Sequence, residues 1–342
     1  MHRMGQDRVR IEEVATLAGV STATVSRVLS NPQIVAPLRR DKVLSAIEAL
    51  GYVPHPTARA LASGRTYTVG CVVPTIDHAI FAKSTQSLQK TLLASGYQLL
   101  IAGHEYDLQT EYHVMSALQQ RGVDALVLVG TDHLPATWRA IKAWGKPCVL
   151  NWSCDPRLPS IGFDNRAVSR VLAEHLLGLG HRVIGMISGF TQHNDRARSR
   201  IEGVRSAMVS AGFALLDKHV TEQGFGLAGG RRGFEQLMRL KIRPTAIVCG
   251  NDLLAAGAVM QAQRMGMDVP RDVSICGVDN HELSQELHPA LTTVSLPTEE
   301  LGRVTAQQIV AALAGAPLAK KRLLPIELIV RESTVVCARL SK

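Results

Sequence analysis

The chain has 342 residues, too many for one compact core and enough for two or three domains. Hydrophobic residues make up 46% and aromatics 4%, and no run approaches the ~18 consecutive apolar residues of a membrane helix, which argues against a membrane protein. The formal charge of +9 is compatible with a polyanionic partner, while six scattered cysteines without metal-ligand or disulfide spacing read as core residues in a reducing cytoplasm.

The opening MHRMGQDRVR has no apolar run or cleavage-site pattern, so no signal peptide is expected. Residues 1–66 hold nine Lys/Arg against five Asp/Glu and read as short helices without strands. In RIEEVATLAGVSTATVSRVLSN (10–31), Ile11, Val14, Ala15, Leu17 and Ala18 share one face of a first helix, which Gly19 ends. Ser21 then suits an N-cap, and the second helix turns Val25, Val28 and Leu29 inward. Its outer face keeps Thr22, Ala23, Ser26 and Arg27. A third helix over roughly 38–50 offers Leu38, Val43, Ile47 and Leu50 to the same small core, with Gly51 ending it.

An outer face of short hydroxyls, one methyl and one Arg is narrow enough for a major groove. There Arg can bond guanine O6 and N7, and Thr can reach a base edge or a thymine methyl. A solvated helix pair without a ligand would more usually carry Glu/Lys pairs. The next segment, PHPTARALASGR (54–65), has Pro56 at a helix-start position and only about two turns before Gly64. So short a helix is unstable alone and is expected to order against DNA or a second hinge.

From GRTYTVGCVVP onward, apolar runs alternate with amphipathic segments. The strand candidates are 68–74, 97–103, 123–130, 147–152, 182–189, 246–251, 273–279, 292–297 and 326–331. Continuous apolar strands separated by helices predict parallel sheets covered on both faces, and the length favours two doubly wound lobes with a cleft between them. Ligands of such folds collect polar residues at the carboxyl ends of strands. By that rule the candidates are Phe81 in IDHAIFAK, Asn151 and Trp152 in LNW, and Phe163 in GFDN. NDRARSRIEGV adds Arg196, Arg198 and Arg200, QGFG adds Phe225, CGND adds Asn251, and CGVDN adds Asp279. An Asp accepting adjacent hydroxyls beside a planar Arg fork suits a polyol. Enzyme readings fare poorly, because no phosphate loop, nucleophile elbow or H-E-x-x-H occurs; His281 and His288 read as local capping groups, and neither a cofactor nor a metal is expected.

The run A-x-x-A-G-V-S-x-x-T-V-S-R-V-L (15–29), followed by G-Y-x-P-x-x-x-A-R-x-L (51–61), resembles the helix-turn-helix and hinge of the lac repressor (LacI/GalR) family of bacterial transcription regulators. The resemblance continues through CGND, CGVDN and HPALTTVSLP (288–297), and the wording is also similar to gluconate-type members. It implies an α/β protein: an all-α headpiece over 1–54, a hinge over 55–66, and a two-lobed periplasmic-binding-protein-like domain of doubly wound parallel sheets over 67–342. The lobe crossings are expected near 164, 292 and 325. By position, Thr22, Ala23 and Arg27 would read bases, and Ser21, Thr24, Ser26 and Asn31 would help hold phosphates. Leu61 would wedge into the minor groove, with Ala58 small enough to let two hinges approach.

The resemblance also implies that Arg200 and Asp279 clamp an effector, Asn251 adds an amide, and Phe81 and Phe225 pack against it. Whether Arg196 and Arg198 face the cleft stays open; an inward Arg would favour a sugar acid over a neutral sugar. The implied protein is a cytoplasmic homodimeric repressor with operator DNA and a small-molecule effector as partners. A solute-binding receptor of the same two-lobed fold is the alternative.

Overall fold

In the computed structural model the described residues are 9–30, 32–53 and 64–337, so Asn31, Ala58 and Leu61 lie outside them. The chain divides into two compact units: residues 1–68 with 120–124, and the remainder.

The first unit is built on helices α1 (Ile11–Ala18), α2 (Thr22–Ser30) and α3 (Pro37–Leu50). Glu13 accepts the Arg10 N–H at the start of α1 (2.8 Å), and Gly19 takes the left-handed conformation that ends it. Ser21 caps α2 as expected: its hydroxyl accepts the Thr24 N–H (3.2 Å). Val14, Ala15, Ala18, Val25, Val28 and Val43 form the core, as read from sequence for all six, with Val35 and Ala46 added. Two expected core residues are not there: Leu17 is 57% and Leu38 73% exposed, outside the cluster that Val35 and Ala46 help to form.

The second unit carries two six-stranded sheets. In the first the order is β11 (Lys321–Leu323), β5 (Ser160–Gly162), β4 (Cys148–Trp152), β3 (Ala125–Val129), β1 (Thr68–Val73) and β2 (Gln98–Gly103). The second runs β12 (Glu327–Ile329), β10 (Thr292–Ser295), β9 (Ser274–Asp279), β8 (Ala246–Cys249), β6 (Ile184–Gly189) and β7 (Val220–Gln223). Central pairings are parallel, and β12 runs antiparallel to β10. Val127, Leu128, Val149, Leu150, Ile247 and Val248 are buried on both faces of their sheets, which is why these strands read as continuous apolar runs.

Helices cover the sheets in pairs. In the first lobe α4 (Ala79–Ala94) packs on α12 (Thr298–Leu313); α5 (Leu108–Gln120) and α6 (Pro135–Trp144) follow β2 and β3 in the chain. In the second lobe α7 (Asn165–Gly178) packs on α8 (Asp195–Ser210), and α9 (Leu227–Met238) on α10 (Asp252–Arg264). A short α11 (Leu283–Glu286) follows β9. The chain passes between lobes at 163–164, 296–297 and 324–326; the middle crossing comes later than 292, because β10 belongs wholly to the second sheet. All six cysteines are free thiols and five are buried, and burial pushes the Cys71 and Cys148 thiols up to about 12.

Candidate functional site

Strand ends converge where the two lobes face each other. The second lobe contributes Ser188 and Gly189 from the end of β6, Gly250 and Asn251 after β8, Asp279 at the end of β9, and Asn194, Arg196, Ala197 and Arg200 around the start of α8. The first contributes His78, Ile80 and Phe81 around the start of α4, Tyr106 after β2, and Trp152 at the end of β4. These residues enclose a narrow cavity of about 50 Å³. A larger groove of about 560 Å³ adjoins it, sharing Ile80 and Asp279.

The polar wall holds unmet hydrogen-bonding groups. Arg200 donates from Nη1 to the Gly250 carbonyl (2.6 Å) and from Nη2 to Asn165 Oδ1 (3.3 Å), yet its Nε is buried with no partner. Asp279 Oδ1 and Ser188 Oγ are likewise buried and unpartnered. Each such atom costs about 1–3 kcal/mol unless water or a ligand satisfies it. Burial pushes the Asp279 carboxyl well above its ordinary range, with Asp252 adding to the rise and Arg200 opposing it. The Arg200 guanidinium sits below its ordinary value, again chiefly through burial, and Asp279 offsets part of that. Donor, acceptor and hydroxyl therefore stand ready for adjacent hydroxyls.

Behind this wall Asp252 braces the loop after β9. It accepts the His281 N–H (2.8 Å) and the hydroxyls of Ser284 (2.5 Å) and Thr293 (2.6 Å). Burial raises its carboxyl despite those three bonds. His281 Nδ1 in turn accepts the Leu283 N–H (3.2 Å), the local capping expected of it.

The opposite wall is aromatic. Phe81 meets Trp152 edge to face at 4.9 Å, Tyr106 stacks on Phe225 at 5.3 Å, and His78 sits edge-on to Phe225 at 5.1 Å. A Cβ at Gly189 would overlap the Phe225 ring, so only glycine lets that ring lie across the cleft. Tyr106, Trp152 and Asp279 all have positive φ (61°, 72° and 119°), backbone strain of about 1–3 kcal/mol each concentrated on lining residues.

Of the residues singled out from sequence, Phe81, Trp152, Arg200, Phe225, Asn251 and Asp279 line the cleft together. Two do not. Asn151 precedes Trp152 on β4 and so points to the other face, where its Oδ1 accepts the Thr305 hydroxyl (2.8 Å). Phe163 lies behind Trp152, with ring centroids 5.7 Å apart, and lines a separate cavity. Asn251 lines the cleft, but its amide is occupied: Oδ1 caps α10 by accepting the Leu254 N–H (2.8 Å), and Nδ2 donates to the Phe225 carbonyl (3.0 Å). The open question over α8 also resolves. Arg196 is buried and lines the cleft, whereas Arg198 is exposed and bonds Asp132. His78, Tyr106 and Ser188 were missed. His78 lies in IDHAIFAK and Tyr106 in the turn after β2, so the strand-end rule that selected Phe81 applied to both.

In the first unit Ser21, Thr22, Ala23 and Arg27 are exposed, and Thr24 and Ser26 half-buried. The Thr24 hydroxyl pairs with Ser21 Oγ (3.0 Å), which fixes both hydroxyls at the start of α2. Among the described residues no group of His, Cys, Asp and Glu has a metal-binding arrangement, and no helix is long and apolar enough to cross a membrane.

Comparison with known proteins bears on both units. Residues 10–55 match the profile described as bacterial regulatory proteins, lacI family, and residues 173–334 match a periplasmic binding protein-like domain. The NTD biosynthesis operon regulator NtdR of Bacillus subtilis (strain 168) is 33% identical over 330 residues, covering 95% of this chain and 99% of that protein. The HTH-type transcriptional regulator GntR of Escherichia coli (strain K12) is 30% identical over 322 residues, covering 94% and 96%. Among solved structures, a LacI-family transcriptional regulator from Silicibacter pomeroyi superposes with a TM-score of 0.84 at 27% identity, covering 95% of this chain and 99% of that one.

Proposed function

The chain belongs to the lacI family of bacterial regulatory proteins, and from that premise we propose a cytoplasmic repressor that holds its operator as a homodimer until a sugar acid enters the cleft. It is a DNA-binding, effector-controlled transcriptional regulator. One observation carries the effector reading: three residues that line one cleft, Arg200, Asp279 and Ser188, each hold a buried polar atom without a partner. In this reading Asp279 accepts two neighbouring hydroxyls of the effector and Arg200 donates in the plane of its fork. Phe81, Trp152 and Phe225 pack against the carbon skeleton.

An acid is favoured over a neutral sugar because two guanidiniums line the cleft: Asp195 pairs with Arg196 (2.9 Å), whereas Arg200 bonds the neutral oxygens of Gly250 and Asn165. The cellobiose complex solved for the transcriptional regulator CelR, 27% identical over 95% of this chain, supports a saccharide-type ligand. The reading assigns no reaction to the cleft, so ligands are expected back unchanged after incubation.

On the DNA side, Thr22, Ala23 and Arg27 are the proposed base readers. Ser21, Thr24, Ser26 and Asn31 are proposed to hold phosphates, and Ala58 and Leu61 to form the hinge contact. The exposure of Thr22, Ala23 and Arg27 on α2 supports this. Dimerisation is assigned to the first lobe, where exposed Ile76 and Ile101 line an apolar groove between α4 and the edge strand β2. Ligand would change the pose of the lobes, hence the spacing of paired hinges and the affinity for operator.

The test has two arms. A thermal-shift screen of sugars, polyols and sugar acids should raise the melting temperature for the true effector, since only the native state binds it. Fluorescence polarisation on a fragment from randomised-site selection should then give tight binding that this ligand weakens. Absence of any preferred duplex at low salt, with and without those small molecules, overturns the regulatory reading.

A further inference from the structure

The two lobes are also joined by contacts that run from the cleft-lining Arg196 outward to Arg198. After β3, residues Gly130, Thr131 and Asp132 of the first lobe meet the first turns of α8 in the second. Arg198 Nη2 lies 2.6 Å from both Asp132 carboxylate oxygens, and Arg198 Nη1 donates to the Thr191 carbonyl at 2.7 Å, so the guanidinium is held at both ends. The Thr131 N–H donates to Asp195 Oδ1 (3.3 Å), and Arg196 Nη1 donates to the same oxygen (2.9 Å). Gly130 has φ +87°, and a Cβ there would overlap Arg196 Nη1, so the backbone of one lobe rests directly on a side chain of the other.

The first-lobe loop is itself braced. Buried His133 bonds Glu111 through Nδ1 (2.6 Å) and the Gly130 carbonyl through Nε2 (3.2 Å), while the Gly130 N–H donates to the Asn151 carbonyl (2.9 Å). Neither Asp132 nor Arg198 lines the cleft. Yet α8, which Arg198 anchors, carries Arg196 and Arg200, which do.

We propose that Asp132 and Arg198 are positioning residues: an ion pair outside the cleft that latches the first lobe to the helix bearing Arg200 and so sets how readily the cleft closes on its ligand. The pair is partly exposed, with side chains 23% and 46% accessible, so it is tunable by salt and has a modest effect. A latch of this kind acts by changing the fraction of molecules in the binding-competent pose, which scales the apparent dissociation constant directly. Its consequence for ligand affinity rests on the effector reading above; its own test does not require a ligand.

Trp152 is the reporter, being 2% exposed on the cleft's aromatic wall. In the full chain carrying Trp138→Phe and Trp144→Phe, acrylamide quenching of the remaining Trp152 measures how far the cleft opens. At about 0.05 M salt, Arg198→Ala and Asp132→Ala should each raise the quenching constant roughly two- to fivefold. The double variant should do no more than either alone, because both remove the same contact. Arg198→Lys, which keeps a charge but loses the two-point fork, should fall between. About 1 M salt, where the Debye length shrinks to about 3 Å, should raise quenching in the parent and leave Arg198→Ala unmoved. If either alanine variant fails to fold, the parent's salt response decides by itself. Quenching that is unchanged in both single variants, or unchanged by salt in the parent, overturns the latch. A working latch together with no hit in the ligand screen would fault the effector reading alone.

Discussion

Asp279 illustrates how one residue carries opposing demands. Its carboxyl is raised by burial, as is that of Asp252, so the folded chain holds protons that the unfolded chain has released. Stability from this source is fully present below the ordinary carboxylate range and is lost as pH rises through the raised values. Asp279→Asn removes one of the two groups. Its melting temperature should therefore decline less steeply than the parent's between about pH 4 and pH 7. The same change should weaken the effector found in the screen by roughly 10- to 100-fold in a titration, because a carboxyl oxygen that meets the ligand is replaced by an amide donor. At the other end of the chain, Arg27→Ala should cost about 1–3 kcal/mol of discrimination, read as relaxed preference at one position in a randomised-site selection with total affinity less affected.

At the scale of elements, the site depends on how closely helices approach. A Cβ at Gly203 of α8 would overlap the Arg166 carbonyl of α7, so this crossing exists only with glycine. Gly203→Ala should cost about 1–3 kcal/mol in urea unfolding and displace α8, weakening effector binding as well. Elements of this kind were legible to different degrees. The long apolar strands of both sheets and the three N-terminal helices stood out, because periodicity and caps agree in Ser21, Gly19 and Gly51. Strands β5, β7 and β11 were missed; SIG, VTEQ and KRL are only three or four residues long, and β11 is wholly exposed. For the cleft, the strand-end rule located the loops but not side-chain direction. Asn151 and Trp152 are adjacent in sequence and opposite in space, and only the strand's register tells which faces the cleft. Asn251 is visible as a polar residue after a strand, whereas its use as the cap of α10 depends on how the folded loop turns its amide toward the Leu254 N–H.

For the whole molecule, charge and assembly make two predictions. If phosphate neutralisation drives operator binding, the logarithm of affinity should fall linearly with the logarithm of salt, by several units per decade for a dimer. Ile101→Lys places a charge in the apolar groove beside β2, and sedimentation should then show a monomer with operator affinity reduced at least 100-fold. Together these separate a dimeric clamp from a headpiece that binds alone.

The Tyr106–Phe225 stack spans a cavity of about 50 Å³, room for water but not for a hexose-sized solute. On the proposed effector reading, such a solute fills this cavity only once the rings part. In stopped-flow mixing, the observed association rate should level off at high solute concentration, and the plateau should equal the frequency with which the two rings separate unaided. Phe225→Ala would lift that plateau while shortening the solute's residence time.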